Sequence, residues 1–324
     1  MDKTAAVSTS QRHARLIWWL IASMAAATTV SFLFAGLSVD LKSNLALLVV
    51  FLIIFAVNWL YRTVRPDPHL AALTEISGQI LLILLFGILL SYAAVTVNLP
   101  YVDAVLYSID NSLGFDRHKY LDFFAHRPWL AYAIHAAYHC MLPQFALVPV
   151  VMFFAMPIER LQTMMIAIVI ALLMTTAVSV FTPSLTAFVH VDLPQMSHVP
   201  PGLYTPEATM EGLRAGTFRV IRLDNLEGLI SFPSFHTTAA LIFIWTVCTV
   251  PYVRWASVIV NLALISATPI DGAHYFVDVI GGFAVAGIAI FVGVALSRHA
   301  SRTSAGLMTA RAEIGLDRTT IRGR

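Results

Sequence analysis

The sequence has few charged residues and only two cysteines. Asp, Glu, Lys and Arg make up 12% of its 324 residues, while 58% are apolar and the mean hydropathy is +0.78. Soluble domains carry a charged fraction of roughly 25%, so this composition excludes an ordinary soluble globular protein. Cys140 and Cys248 both lie inside apolar runs, which argues against a disulfide framework. The composition therefore indicates an integral membrane protein.

The net charge is also too small for a nucleic-acid-binding protein. Lys and Arg number 20 against 18 Asp and Glu, which gives a formal net charge of +2. The sequence has no basic stripe interleaved with aromatic residues either. We therefore expect no nucleic-acid partner, and the bilayer is the first partner that the composition indicates.

Eight apolar runs predict about eight spanning helices in an all-α membrane bundle, since each approaches the roughly 20 residues that cross a bilayer. The runs cover residues 16–37, 45–61, 76–97, 129–154, 161–181, 232–250, 254–269 and 275–296. Residues 101–127 are less apolar but keep one apolar helix face, which predicts a short helix on the membrane surface. The loop over 182–230 is large enough to cap a site.

The basic residues are distributed unequally between the two sides of this topology. Thirteen of the 20 fall on the side that carries both termini. They are Lys3, Arg12, Arg15, Arg62, Arg65, Arg160, Arg254, Arg298, Arg302, Arg311, Arg318, Arg322 and Arg324. Because Lys and Arg are enriched in cytoplasmic loops, we expect both termini in the cytoplasm. The sixth and eighth runs then begin on the outer face.

Two motifs place titratable side chains at the heads of those two runs, where such groups are costly in lipid and functional by default. One is His-Tyr-Phe-Val-Asp at residues 274–278. His274 and Asp278 share a helix face, so the carboxylate can hold one imidazole nitrogen and leave the other directed outward. An imidazole held in this way is a nucleophile or a base. Taken alone, this motif fits a structural hydrogen-bonded pair equally well.

The other motif is Pro-Ser-Phe-His at residues 233–236. Ser234 and His236 stand at a helix start, where unpaired backbone N–H groups and the helix dipole favour an anion such as phosphate. With His274 as nucleophile and His236 to protonate the leaving oxygen, phosphoryl transfer through a covalent intermediate needs no metal. The two motifs are separated by a single hairpin, and their joint occurrence favours a chemical site.

A second polar group lies on one face of the fourth run, where His135 and His139 flank Tyr138. The His-x-x-x-His spacing can bind zinc, but no third ligand is evident nearby, and catalytic zinc needs three protein ligands. We expect neither a metal nor another cofactor. A polar lining of the substrate cleft is the favoured interpretation, and hydrogen bonds within the helix bundle are the alternative.

The two motifs resemble those of the type 2 phosphatidic acid phosphatase superfamily, and within it the inositol phosphorylceramide synthase-like branch. That superfamily has Pro-Ser-Gly-His and, later, Ser-Arg, five residues, His, three residues and Asp. The stretch Tyr-Ser-Ile-Asp-Asn-Ser-Leu-Gly-Phe-Asp at 107–116 is also similar to the synthase-like branch. The resemblance covers about residues 75–297. It implies that His274 is the nucleophile, Asp278 its orienting partner and His236 the general acid.

Three departures from the superfamily pattern affect the binding of phosphate. Phe235 replaces the glycine of the first motif, and Thr268 occupies the usual arginine position six residues before the nucleophile. Both changes are similar to the inositol phosphorylceramide and sphingomyelin synthase branches. Lys119 stands one position too far from Arg-Pro at 127–128 to complete the superfamily's remaining signature. The charge of a phosphate must then be met by other groups.

Three arginines on the outer side are candidates for that role: Arg127, Arg219 and Arg222. Each can instead solvate a loop or extend toward the interface, which is the alternative for all three. We include Ser234 in the predicted substrate-binding set because it stands at the helix start.

The sequence predicts a two-helix addition at 1–70, a catalytic membrane core at 71–297 and a basic, disordered cytoplasmic tail at 298–324. We expect an inositolphosphotransferase-like or lipid phosphate phosphatase-like enzyme that acts on a membrane lipid. Its site would face the periplasm or the outside of a bacterial inner membrane. The alternative is a transporter that moves protons or metal ions by intramembrane His and Asp. A transporter requires titratable groups along a path through the bilayer, whereas these cluster near one face.

Overall fold

The computed structural model describes residues 3–40, 42–189, 207–226 and 228–321. Over these ranges the chain forms twelve α-helices and two short strands, and 79% of the structure is helical. In chain order the elements are α1 (Lys3–Ala35), β1 (Ser38–Val39), α2 (Leu45–Trp59), α3 (Pro68–Val95), α4 (Asp103–Ser112), α5 (Arg117–Ala125), α6 (Pro128–His139), α7 (Met141–Ala155), α8 (Ile158–Phe181), α9 (Glu207–Ala215), β2 (Val220–Ile221), α10 (Phe235–Val247), α11 (Arg254–Asp271) and α12 (Phe276–Ile321). The predicted all-α membrane bundle is confirmed.

Helix α8 lies at the centre of the bundle. Its residues from Leu161 to Val169 are all buried, and it packs against α1, α3, α10 and α12. The contact with α3 is close because a Cβ on Gly87 would lie 2.7 Å from the Leu172 side chain. Small residues at such crossings are typical of helix packing in membranes.

Helix α1 belongs to the same core as α10 and α12. Ile17, Ile21 and Met24 are buried in the cluster that also holds residues of α3, α8, α10 and α12. After α1, strand β1 pairs in parallel with β2, which ties the start of the chain to the loop before α10. In contrast, α2 has no buried residue and packs against α3 alone among the long helices. Helix α1 and helices that follow residue 70 thus share one core, and the division predicted at that residue stays a prediction.

Fewer helices meet the criteria for spanning a membrane than the eight predicted. Five described helices are long and apolar enough, or six if α6 and α7 form one span. The predicted sixth span corresponds to α10, which has 13 residues and is therefore about 20 Å long. The seventh corresponds to α11, where Arg254, Asn261 and Asp271 lower the hydropathy. Both helices carry or adjoin the polar groups of the site described below.

The predicted fourth span is broken. Helices α6 and α7 meet at Cys140 with a bend of 60°. Pro143 explains the break, because proline has no N–H to donate to the carbonyl of His139 and its ring crowds that carbonyl. The bend separates the half of the span that carries His135 and His139 from the half that packs against α8 and α10.

The single surface helix predicted over 101–127 is also divided in two. Helix α4 ends before Gly114, whose φ of +76° lies in the left-handed region that favours glycine. Asp116 then caps α5 by accepting the N–H of Lys119 at 3.0 Å. The turn between the helices lets α4 and α5 approach the site from different directions.

The last helix extends into the basic tail, and the disorder predicted for that tail stays a prediction. Helix α12 continues from Phe276 to Ile321, since no proline interrupts it and Ala, Leu, Met and Arg favour the helical state. The loop over 182–230, expected to cap the site, contains α9 and β2. Residues 190–206 of that loop lie outside the described residues.

Candidate active site

The starts of α10 and α12 lie side by side. The Ser234 N–H donates to the carbonyl oxygen of Asp278 at 3.0 Å, and the Thr238 hydroxyl donates to that of Gly282 at 3.1 Å. A Cβ on Gly282 would lie 2.7 Å from the Ser234 carbonyl oxygen, so this contact requires glycine. The fully buried Ser234 hydroxyl accepts the N–H of Thr237 and caps α10. Its role in substrate binding stays a prediction.

His274 and Asp278 form the pair that the spacing predicted. The two residues are almost completely buried, and His274 Nδ1 lies 3.2 Å from Asp278 Oδ2. The same carboxylate oxygen accepts the Ser231 hydroxyl at 2.7 Å and the Tyr275 N–H at 2.9 Å. Because an ionised carboxylate only accepts, Nδ1 carries the proton and Nε2 keeps its lone pair. The imidazole is thus held in the tautomer that suits a nucleophile.

His236 lies beside this pair, in the first turn of α10. Its ring centroid is 6.1 Å from that of His274, with an angle of 63° between the ring planes. The other face of His236 is stacked on Tyr138 at 4.5 Å and 12°. The ring is therefore held by packing between α6 and the loop before α12. The structure brings together His236, His274 and Asp278, and their catalytic roles stay predictions.

A second histidine and carboxylate pair adjoins the first. His135 Nδ1 lies 2.7 Å from Asp271 Oδ1, and the His135 and His139 rings are 4.6 Å apart. Asp271 ends α11, three residues before His274. The two histidines predicted to line the substrate cleft thus lie next to the site.

Helices α4 and α5 hold the turn that carries His274. Asp110 accepts the backbone N–H groups of Phe276 and Val277, both at 2.8 Å, and so caps the start of α12. Arg117 donates to the carbonyl oxygens of Pro269 at 3.0 Å and His274 at 2.8 Å. Its guanidinium also lies 3.5 Å from the Asp110 carboxylate, and both side chains are 4% exposed.

Burial raises the pKa of the Asp110 carboxyl, and the two N–H donors and Arg117 partly offset that effect. Burial likewise lowers the pKa of the Arg117 guanidinium, which Asp110 partly restores. Arg117 remains charged even with a lowered pKa, so it presents a cation to Asp110. Together the two side chains hold the backbone on both sides of His274.

Asp103 anchors the same turn through Tyr275. The carboxylate accepts the Tyr275 hydroxyl at 3.1 Å, the Ser184 hydroxyl at 2.7 Å and the Leu185 N–H. Burial, followed by the nearby Asp103 charge, raises the pKa of the Tyr275 phenol, so the hydroxyl remains a donor. The turn before α12 is thereby tied to the loop that follows α8.

The three candidate arginines make their contacts elsewhere. Arg127 donates to the Phe123 carbonyl oxygen and stacks on that ring at 4.1 Å. Arg222 forms an exposed ion pair with Asp224 at 2.7 Å, and Arg219 folds against Gly216. Over the described residues, no hydrogen bond or ion pair joins these arginines to His236 or His274. Their role in phosphate binding stays a prediction.

Sequence reasoning missed the side chains that position the site. Arg117 and Asp271 were not singled out, although Arg117 directly follows the synthase-like stretch at 107–116 and Asp271 lies three residues before His274. Asp110 lies inside that stretch, whose similarity was noted without a structural reason. Proximity to a motif was the only local sign that Asp110, Arg117 and Asp271 position the site. Their hydrogen-bond partners lie more than 130 residues away in the sequence.

Across the ranges that the structure describes, no group of three His, Cys, Asp or Glu is placed to hold a metal ion. His135 directs Nδ1 to Asp271, and among the described residues no third ligand joins His135 and His139. The expectation that the enzyme needs no metal stays a prediction.

Comparison with known proteins agrees with this geometry. No curated protein and no solved structure matches the chain significantly. The family model described as the PAP2 superfamily matches residues 104–292, which is more than half of the 324-residue chain and includes both pairs of histidine and aspartate together with His236. Members of that superfamily are generally phosphatases and phosphotransferases. Together with its apolar helices, the match shows that this integral membrane protein belongs to the PAP2 superfamily.

Proposed function

We propose that this protein is a membrane enzyme that transfers or hydrolyses a phosphoryl or phospho-head group of a lipid through a phosphohistidine on His274. One observation carries the proposal: the buried pair of His274 and Asp278 faces a second imidazole, His236, at 6.1 Å between ring centroids. At this separation a single tetrahedral phosphoryl group can contact both rings. Such a nucleophile, orienting carboxylate and acid are the minimum that covalent transfer requires.

In the first step, Nε2 of His274 attacks phosphorus, so that a P–N bond forms as the P–O bond to the leaving group breaks. Protonated His236 gives its proton to the departing oxygen. Asp278 stabilises the positive charge that develops on the attacking imidazole. In the second step, an acceptor hydroxyl attacks phosphorus, the P–N bond breaks and His274 is restored.

The start of α10 supports the binding of the phosphate charge. The first N–H groups of a helix have no partners within that helix and favour an anion. His236 lies in that first turn. The helix start thus stabilises part of the negative charge of a phosphate. In the superfamily pattern an arginine at the position of Thr268 would do so.

The branch of the superfamily and the substrate are further parts of the proposal. Phe235 and Thr268, which stand where the superfamily has glycine and arginine, favour an inositol phosphorylceramide synthase-like branch. A phosphoinositol group and a sphingolipid are then the candidate donor and acceptor. The distribution of basic residues supports a site on the periplasmic or outer side of a bacterial inner membrane.

Substitution of the two histidines tests the roles assigned to them. His274→Ala should abolish both turnover and an acid-labile phosphoenzyme, whereas Asp278→Asn should cause a smaller loss because the imidazole remains. His236→Ala should slow transfer from a lipid with an alkyl leaving group by about 10²–10⁴-fold. The same substitution should slow the release of nitrophenolate from para-nitrophenyl phosphate by a smaller factor, because nitrophenolate leaves without much protonation.

Equal losses on the two substrates in His236→Ala would remove the general acid from the proposal. A phosphoenzyme that survives in His274→Ala would assign the nucleophile to another residue. Comparison of lipid products by mass spectrometry, with His274→Ala as the inactive control, identifies the donor and the acceptor.

A further inference from the structure

The site contains two pairs of histidine and aspartate, and the mechanism above uses only one. In the second pair, His135 Nδ1 lies 2.7 Å from Asp271 Oδ1, closer than the 3.2 Å between His274 and Asp278. The Asp271 side chain is 4% exposed. With an ionised Asp271, His135 carries its proton on Nδ1 and keeps the lone pair of Nε2.

The two pairs differ in how exposed their imidazoles are. The His274 side chain is 4% exposed, whereas that of His135 is 27% exposed. A buried carboxylate that holds a partly exposed imidazole gives a base that a molecule outside the helix bundle can reach. Hydrogen bonding within the bundle alone would not require an accessible ring.

Contacts between neighbouring side chains connect the second pair to the reacting group. Asp271 and His274 lie on the same turn, between α11 and α12. Tyr138, next to His139 and one helical turn from His135, stacks on His236. The Tyr138 hydroxyl and the His274 ring both pack against Gly272. A Cβ at Gly272 would lie 3.0 Å from the Tyr138 hydroxyl and 2.6 Å from the His274 ring. The α6 face that carries His135 is thus packed directly on the site.

We propose that His135, held by Asp271, binds the acceptor hydroxyl and deprotonates it in the second half of the reaction. This inference rests on the phosphohistidine mechanism proposed above. The acceptor class is a compound with a hydroxyl group, either water or an alcohol. His139, with its ring 4.6 Å from that of His135, offers a second polar contact to an alcohol with more than one hydroxyl.

The step balances without a further reactant. The acceptor oxygen forms a bond to phosphorus while the P–N bond to His274 Nε2 breaks, and His274 regains its lone pair. The acceptor proton passes to Nε2 of His135, whose positive charge is stabilised by Asp271. His236 gave its own proton to the leaving group, so His135 returns a proton to solvent and His236 takes one up before the next cycle.

Stopped-flow turnover of para-nitrophenyl phosphate by the full-length protein separates the two half-reactions. Nitrophenolate release in the first turnover reports formation of the phosphoenzyme, and the steady rate then reports its discharge. In His135→Gln we expect the first turnover to persist while the steady rate falls by about 10²-fold or more. Acid-labile phosphoenzyme should accumulate. His126→Gln, which changes an exposed histidine at the end of α5, is the matched control and should behave as wild type.

The acidity of the acceptor supplies a readout that a structural role would not change. Transfer to ethanol should suffer more in His135→Gln than transfer to the more acidic trifluoroethanol, because the latter needs less help to lose its proton. Asp271→Asn keeps the imidazole and should show the same pattern with a smaller loss. If His135→Gln fails to fold, Asp271→Asn carries the test.

Two results would overturn the inference: a steady rate that His135→Gln leaves unchanged, or equal losses in the first turnover and the steady state. The inference would also be overturned if His135→Gln reduced transfer to ethanol and transfer to trifluoroethanol by the same factor. Absence of any phosphoenzyme from the wild-type protein would instead overturn the proposed function. The two failures are therefore distinguishable.

Discussion

The two ends of the bundle bury polar side chains in different ways. At the end that holds His236 and His274, the active-site end, the carboxylates of Asp103, Asp110 and Asp278 each have three partners. The three partners of Asp278 all contact Oδ2, and its Oδ1 is buried without a protein partner. The opposite end lies where α3 and α8 begin. There the amides of Gln79 and Gln162 are buried, yet Nε2 of the former and Oε1 of the latter have no protein partner. A cavity of about 360 Å³ adjoins both amides.

This difference shows where the chain needs fixed geometry. A buried carboxylate is costly unless donors surround it, so three such groups at one end mark a region where order outweighs the cost of desolvation. All three carboxylates act on the turn between α11 and α12. Covalent transfer requires the nucleophile to stay close to its attack position, and such anchors provide that order. The opposite end holds no reacting group in a fixed position, and it contains the cavity beside Gln79 and Gln162.

Among substitutions outside the reacting histidines and their aspartates, the largest effect should come from Arg117, which joins the turn to α5. In Arg117→Met, the Pro269 and His274 carbonyl oxygens lose their donors and Asp110 loses its counter-ion. Loss of one partner from a buried ion pair costs about 3–5 kcal/mol of unfolding free energy. A nucleophile displaced by about 1 Å should lower kcat by about 10²-fold. Thermal unfolding in detergent and turnover by the folded fraction measure the two effects.

Arg160→Met is the matched control at the opposite end. Arg160 also donates to two backbone carbonyls, those of Trp245 and Thr246, but it does not contact the turn. The Arg160→Met substitution should lower the melting temperature and leave kcat of the folded fraction unchanged. If both substitutions reduced kcat equally, the contrast between the ends would disappear, because the site would depend on the whole bundle.

A smaller effect is expected from Gly272→Ala. The new Cβ would lie 2.6 Å from Cδ2 of His274 and 2.9 Å from the Thr268 carbonyl oxygen, so the imidazole or the turn must shift. Because φ is −91°, the backbone itself tolerates alanine. We expect kcat to fall by about tenfold, which is less than a full 1 Å displacement would cause.

Gly287→Ala is the control for that substitution. A Cβ at Gly287 in α12 would meet no atom within 4 Å. This change should leave kcat unaltered and stabilise the helix by about 0.5–1 kcal/mol. Unchanged kcat in Gly272→Ala would show that the turn is less rigid than its anchors indicate.

Local features of the sequence were sufficient to predict the bundle and the reacting pair. Hydropathy over some 20 residues is a local property, so the long spans α1, α3, α8 and α12 were recognised. The spacing of His274 and Asp278 is also local, and the pair forms as expected. The break at Cys140 had a visible cause in Pro143, but the continuous apolar run was taken as one span.

Contacts between distant segments could not be predicted in the same way. Arg117 bonds to residues 152 and 157 positions away, and His135 to a residue 136 positions away. No periodicity records such partners. A buried arginine also looks like any loop arginine in sequence, which is why Arg127, Arg219 and Arg222 were selected as candidates and Arg117 was not.

The smallest effect should come from Arg222, one of the arginines that the sequence proposed for phosphate binding. Its guanidinium is paired with Asp224 at 2.7 Å, and the two side chains are 61% and 43% exposed. Exposed pairs of this kind contribute little, and salt screens them further. Arg222→Ala should therefore leave kcat, KM for para-nitrophenyl phosphate and the melting temperature unchanged at physiological ionic strength. Arg222→Lys, which keeps the charge, is the matched control. A several-fold rise in KM with alanine that lysine restores would show that this loop closes on the phosphate during turnover. The arginine would then belong to the active-site end after all.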